Sequence, residues 1–129
     1  MFYWSSYAHG VPQFNILNIE GRVEISFDSV DWEVLERPKQ LQSGVWIRTS
    51  RTGVAVLLLP DETQTRIGTS TTLRLQAAAS EDESISMDLT RGKLWSKTNR
   101  KKLKLEIRVP KATASVRGTE WLIDVLKTG

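Results

Sequence analysis

The sequence predicts an all-β fold, one domain of two packed antiparallel or mixed sheets arranged as a sandwich or a solenoid-like β-roll. Three observations carry that prediction. Apolar side chains recur at every second position in segment after segment, the period of a strand with one face in a core. The same segments are rich in Thr, Val, Ile and Trp, whose branched or aromatic side chains pack well on a pleated surface and lose χ1 freedom in a helix. Glycines punctuate them, as a chain turning corners requires where φ must be positive or backbones must approach closely.

The first alternating segment places Val23, Ile25 and Phe27 on one side and Arg22, Glu24 and Ser26 on the other. Residues 46–48 and 55–59 follow, alternating or apolar over strand length, and Leu73 with Leu75, then Ile85 with Met87 and Leu89, repeat the pattern. Trp95 occupies a strand position expected to face the core. Later come Leu103 with Leu105, Ile107 with Val109, and Trp121 with Ile123 and Val125. Only residues 75–80, with Ala77-Ala78-Ala79, hint at a helix; they read as a short turn or frayed strand end, because the polar, acidic stretch 80–84 follows. Gly21, Gly44, Gly68, Gly92 and Gly118 are spaced 23, 24, 24 and 26 residues apart, each before a strand-like run. A two-strand rung of about 24 residues would suit a roll or sandwich; chance spacing is the alternative, since the intervening sequences do not otherwise align.

A chain of 129 residues is one domain by length. Its 40% hydrophobic and 26% charged residues are those of an ordinary globular domain and exclude disorder and collagen-like structure. The longest apolar stretch, residues 54–60, is far short of the roughly 18 residues a membrane-spanning helix needs, so no transmembrane segment is expected. The absence of cysteine excludes disulfides, thiolate zinc sites, iron–sulfur clusters and cysteine nucleophiles. Met1 is followed by Phe-Tyr-Trp-Ser-Ser-Tyr, without the basic start and long apolar middle of an export signal; a signal was either removed or never present. Residues 1–18 form an aromatic N-terminal segment or first strand, and four of the ten aromatic residues lie in the first seven positions. They are expected to pack on the sheet; a membrane-interface belt or an exposed contact surface is the alternative.

Net charge conceals a split. Residues 1–90 hold seven Lys/Arg against twelve Asp/Glu, a net of −5, and residues 91–129 hold eleven against three, a net of +8. The two parts either neutralise each other in the fold, the expected case, or mark an anionic partner. Catalysis is not expected. His9 is the single histidine, in a polar N-terminal stretch, where a Ser-His-Asp relay would rest on a chain terminus. The acidic groups Asp28, Asp31, Glu33, Glu36 and Glu81-Asp82-Glu83 lack the spacing of a calcium loop and read as solvated loops. No Gly-rich loop precedes a helix, so phosphate cradling is unsupported. Neither a cofactor nor a metal is expected. The run 97–104, with Arg100, Lys101, Lys102 and Lys104, reads as a hairpin tip between two strands. Such a tip is ordinarily a solvated edge; the functional alternative is a contact with nucleic acid, lipid headgroups or an acidic polysaccharide.

Near the C-terminus, Val116-Arg117-Gly118-Thr119-Glu120-Trp121 resembles the signature of FecR-type domains, the periplasmic domain of ferric-citrate regulator proteins. Gly21-Arg22-Val23-Glu24-Ile25 resembles the opening strand of that family. Residues 41–49 resemble its Leu-x-x-Gly-x-x-Ile-x-Thr segment, residues 70–75 a Ser/Leu-rich stretch, and Leu89-Thr90-Arg91-Gly92-Lys93-Leu94 its Leu-x-x-Gly-x-Leu segment. The resemblance covers residues 19–126, and residues 19–129 are therefore expected to form a FecR-like all-β domain. Gly44-Val45 stands where the family often has Gly-Asp, and Asp61-Glu62 where it has Asp-Gly, which removes a residue tolerant of φ > 0 from that turn. Independently of the family, Gly118 marks a bulge or close backbone approach, Thr119 supplies a capping hydroxyl, and Arg117 can pair with a carboxylate. These residues, with Trp121, are expected to be architecture.

The resemblance implies a non-enzymatic envelope domain, periplasmic or extracellular, acting as a sensory, regulatory or scaffolding module that binds an envelope protein. In the family such domains commonly follow a transmembrane helix in anti-sigma regulators and relay a signal from an outer-membrane transporter. The sequence shows no sigma-binding segment, membrane helix or further signalling module, so complete sigma regulation by this polypeptide alone is not expected. The alternative is a carbohydrate or anionic-polymer binding module, since Trp and Arg on sheet faces suit stacking and hydrogen bonding to sugars. A hydrolase would need paired carboxylates in a cleft, which the sequence does not place. Nucleic acid is not an expected partner, because Trp95, the aromatic beside the basic run, is assigned to the core.

Overall fold

The computed structural model describes residues 14–60, 63–77, 85–97, 105–110, 112–116 and 120–125. Among them there is no helix, and the chain is all-β. The strands are β1 (Phe14–Glu20), β2 (Val23–Ser26), β3 (Glu33–Val34), β4 (Gln40–Leu41), β5 (Trp46–Thr49) and β6 (Val54–Leu58), followed by β7 (Gln64–Ile67), β8 (Thr72–Ala77), β9 (Ile85–Lys97), β10 (Leu105–Val109), β11 (Ala112–Val116) and β12 (Glu120–Val125). They form one hydrogen-bonded network, where the sequence led us to expect two separate sheets. All pairings are antiparallel except β9 with β10, which is parallel.

The network has two wings joined through β9. Its first part, residues 85–91, pairs with β8 and β10, and β5, β2 and β3 extend that wing beyond β8. Its last part, residues 92–97, pairs with β7 and β12, and β6, β1 and β4 extend the other. Chain length shows that β9 cannot be straight. Thirteen residues of extended strand would carry Lys97 roughly 40 Å from Ile85, yet Leu105, about eight residues after Lys97, pairs beside Ile85, and that connection reaches at most roughly 28 Å. The bend falls at Gly92, whose φ is +104°. Inward residues of both wings, among them Phe14, Ile16, Leu57 and Leu94 from one and Ile25, Ile47, Leu73, Met87 and Ile107 from the other, share one core.

Threonine hydroxyls fasten this corner. Thr49 Oγ1 donates to the Gly68 carbonyl at 2.6 Å and accepts the Thr71 N–H at 2.9 Å. Thr71 Oγ1 donates to the Thr69 carbonyl at 3.0 Å and accepts the Lys93 N–H at 3.0 Å. The bend at Gly92 thus gives its neighbour's amide a side-chain acceptor where the ladder is interrupted. Of the spaced glycines, Gly21, Gly44 and Gly92 have positive φ, while Gly118 lies outside the described residues.

Two expectations about side-chain direction are corrected. Phe27 is 68% exposed, because β2 ends at Ser26. The buried Ser26 hydroxyl accepts the N–H groups of Asp28 and Ser29 and donates to Asp28 Oδ1, turning the chain before the alternation reaches Phe27. Trp95 is 37% exposed, with Leu94 and Ser96 buried on either side of it. Inward positions in the first part of β9 are Ile85, Met87 and Leu89, but after Gly92 they are Leu94 and Ser96. The phase slips by one residue at the bend. β1 spans residues 14–20, and its Phe14 and Ile16 are core residues.

Candidate interaction surface

Register sets the rows of side chains on the outer face of the β5 wing. Glu24, Arg48 and Thr72 stand opposite one another on β2, β5 and β8. The neighbouring row carries Trp46, Arg74, Asp88 and Arg108 on β5, β8, β9 and β10. Each alternates with a core residue such as Ile25, Ile47 or Leu73, so burial of the inner face fixes the outward set.

The first row is tightly held. Arg48 donates to Glu24 Oε1 from Nε at 3.1 Å and from Nη2 at 2.9 Å, and Arg22 Nη2 reaches Glu24 Oε2 at 3.3 Å. Burial pushes the Glu24 carboxyl upward, but the hydrogen bonds and charges of Arg48 and Arg22 outweigh it and hold the group below its ordinary pKa. The Arg48 guanidinium also lies 4.0 Å from the Trp32 ring centroid, within cation–π range. Trp32 is fixed in turn by its indole N–H, which donates to the Ser29 carbonyl at 3.2 Å.

In the second row Arg74 sits 5.5 Å above the Trp46 ring and donates from Nε to the Gly44 carbonyl at 3.4 Å. Asp88 Oδ2 accepts from Gln76 Nε2 at 2.6 Å. Asp88 Oδ1 is buried and has no hydrogen-bond partner; the half-exposed Arg108 guanidinium lies 3.7 Å away. The Asp28 loop at the end of β2 is self-contained. Its carboxylate accepts the N–H groups of Asp31 and Val30 and the Ser26 hydroxyl, which hold its pKa below the ordinary value.

Of the residues singled out in the sequence, Arg100, Lys101, Lys102, Lys104, Arg117, Gly118 and Thr119 lie outside the described residues, as do His9, the N-terminal aromatics and Glu81-Asp82-Glu83. Trp121 is in β12, opposite Ser96. The strands flanking the basic run are not a hairpin: β10 pairs in parallel with the start of β9 and not with its end. The correction follows from the bend at Gly92, which turns the end of β9 into the other wing. Arg48, Arg74, Glu24 and Trp32 were missed as a group. The signal for Glu24, Arg48 and Arg74 lay in the positions alternating with Ile25, Ile47 and Leu73, while Trp32 precedes β3 outside any strand, and the group becomes a surface only once the strand order is known. Among the described residues no group of three His, Cys, Asp or Glu is placed to hold a metal, and no helix is long and apolar enough to cross a membrane.

The structure is that of an all-β domain presenting pre-ordered tryptophan and arginine side chains on a sheet face, the residue types that dominate recognition surfaces. A family model described as FecR protein matches residues 46–129, more than half of the chain, and the chain belongs to that family. The match begins at the first residue of β5 and takes in β5 to β12; β1 to β4 precede it, although β1, β2 and β4 share its core. No curated protein and no solved structure matches the chain.

Proposed function

We propose that this chain is a non-enzymatic sensory, regulatory or scaffolding domain of the bacterial envelope, periplasmic or extracellular, that recognises a protein partner through the outer face of its β5 wing. The observation that carries the reading is the FecR family match over residues 46–129. The site supports a protein partner through side chains ordered before binding: Arg48 is clamped by Glu24 and Trp32, and Arg74 lies over Trp46. Pre-ordering lowers the entropy cost of association. A glycan is less well served, because guanidinium groups already occupy stacking positions over both rings where a sugar would lie. The two wings around one core fit a β-roll, with residues 1–18 as an aromatic segment or first strand that joins the core of the 19–129 domain.

Photo-crosslinking from position 76, beside this face, in cells that naturally make the protein tests the proposal. One envelope protein is expected as the adduct, and Trp46→Ala with Arg74→Ala is expected to reduce it at least tenfold while leaving the circular dichroism unchanged. Absence of a protein adduct, together with signal from the purified domain on a glycan array, would overturn the reading in favour of carbohydrate binding.

A further inference from the structure

The outer face of the other wing carries a different chemistry. Leu122 in β12 stands directly opposite Trp95 in β9, Trp95 opposite Arg66 in β7, and Arg66 opposite Val56 in β6. Leu122 is 64% exposed and Trp95 37%, so two large apolar side chains lie next to each other in water. At the β1 end of the row, Leu17 is displaced by the bulge between Ile16 and Asn18 and is 43% exposed. Two residues to either side of Trp95, on the same face, are Lys93 and Lys97.

Among the described residues these cations have little carboxylate compensation. Lys93 has Asp124 at 4.0 Å, the outer limit of an ion pair, with the lysine side chain 63% exposed. Among the described residues neither Arg66 nor Lys97 has a carboxylate partner, and Glu120 is the acidic residue standing opposite Lys97 in register. Lys93, Trp95, Lys97 and Leu122 belong to the part of the chain, residues 91–129, that carries a net charge of +8, while Arg66 comes from the acidic part.

The geometry points to this face as a contact surface for an anionic lipid bilayer, with Trp95 and Leu122 entering the headgroup boundary and Arg66, Lys93 and Lys97 meeting the lipid phosphates. Tryptophan favours that boundary, and lysine stems lie along apolar surface with the ammonium in the polar layer. Leu122 decides between ligands of like charge. An aliphatic side chain offers no ring to stack on a base or a sugar, whereas the apolar boundary of a bilayer removes its exposed area from water. The row runs across four strands spaced about 4.8 Å apart, a broad face suited to an extended surface. The inference does not depend on the protein-partner proposal, which concerns the other wing.

Flotation of the full chain with vesicles tests it. Binding is expected to phosphatidylcholine vesicles containing 30% phosphatidylglycerol, to weaken steeply between 50 and 300 mM salt, and to be absent with pure phosphatidylcholine. Lys97→Gln should lower the partition coefficient about fivefold, the usual effect of one basic residue at such a surface, and Leu122→Ser roughly tenfold, from the lost apolar burial. Both residues are exposed, and unchanged thermal unfolding establishes that the variants fold. Arg51→Gln, which removes an exposed turn cation elsewhere, should change binding less than twofold. Equal binding to neutral vesicles, failure to bind anionic ones, full binding by Leu122→Ser, or binding to heparin without binding to vesicles would each overturn the proposal.

Discussion

Two glycines with nearly the same φ make opposite demands on their surroundings. Gly44 has φ +96° and Gly92 φ +104°. A Cβ on Gly44 would meet nothing within 4 Å, whereas one on Gly92 would run into the Thr71 side chain. Gly44→Ala should therefore cost only the conformational strain, about 1 kcal/mol, and Gly92→Ala that strain plus the displacement of Thr71, roughly 3 kcal/mol or more. Urea unfolding of the two variants checks the difference; equal losses would mean that Thr71 moves aside freely. The sequence marked both glycines as corners through their spacing, but not this inequality, which arises from a hydroxyl on another strand. Trp95 and Phe27 fail for a related reason. Period-two reading carries a phase forward until something resets it, and both the bend at Gly92 and the turn held by Ser26 do so without an apolar signal.

At the scale of elements, strands with regular apolar alternation were legible and strands with polar inward positions were not. β2, β5, β6, β8 and the first part of β9 could be read from Val23, Ile47, Leu57, Leu73 and Met87. β7 could not, because one of its two inward residues is Thr65, and β1 was expected only as a first strand somewhere in residues 1–18, since its bulge at Leu17 breaks the pattern. Thr65 is buried in a satisfied state: its hydroxyl lies 2.6 Å from that of Ser96 on β9. Removing one partner strands the other, so Thr65→Val and Ser96→Ala should each destabilise by about 1–3 kcal/mol. The double variant should lose less than the sum, since an apolar pair leaves no unsatisfied hydroxyl. Simple additivity in the cycle would show that each hydroxyl finds another partner. The segments that carry the family resemblance converge in the same way. Thr49 from 41–49, Thr71 from 70–75 and Gly92 from 89–94 meet at the corner of β9, so these matches describe how the chain turns, not what it binds.

At the scale of the whole molecule, the charge split does not resolve into one long-range neutralisation among the described residues. Among the described ion pairs, Arg22 and Arg48 serve Glu24 within the acidic part, Lys93 and Asp124 pair within the basic part, and Arg108 with Asp88 joins the two. Arg108 with Asp88 is thus the described pair that offsets charge between the two parts, and the net positive charge of the chain grows as the pH falls. Acid should weaken the fold by two routes that salt separates. Glu24 and Asp28 are both held below their ordinary pKa values in the folded chain. Their stabilisation is complete above the unfolded pKa values and is lost as the pH falls through the folded ones. General repulsion among cations also rises in acid, but added salt screens it. The urea midpoint should thus be flat near neutrality and fall in acid, with moderate salt restoring only part of the loss. Glu24→Gln combined with Asp28→Asn should be less stable at neutral pH and lose less on acidification. Unfolding curves with and without salt check this: if salt restored the whole acid loss, or if the double variant kept the full acid dependence, the two hydrogen-bonded carboxylates would not be its cause.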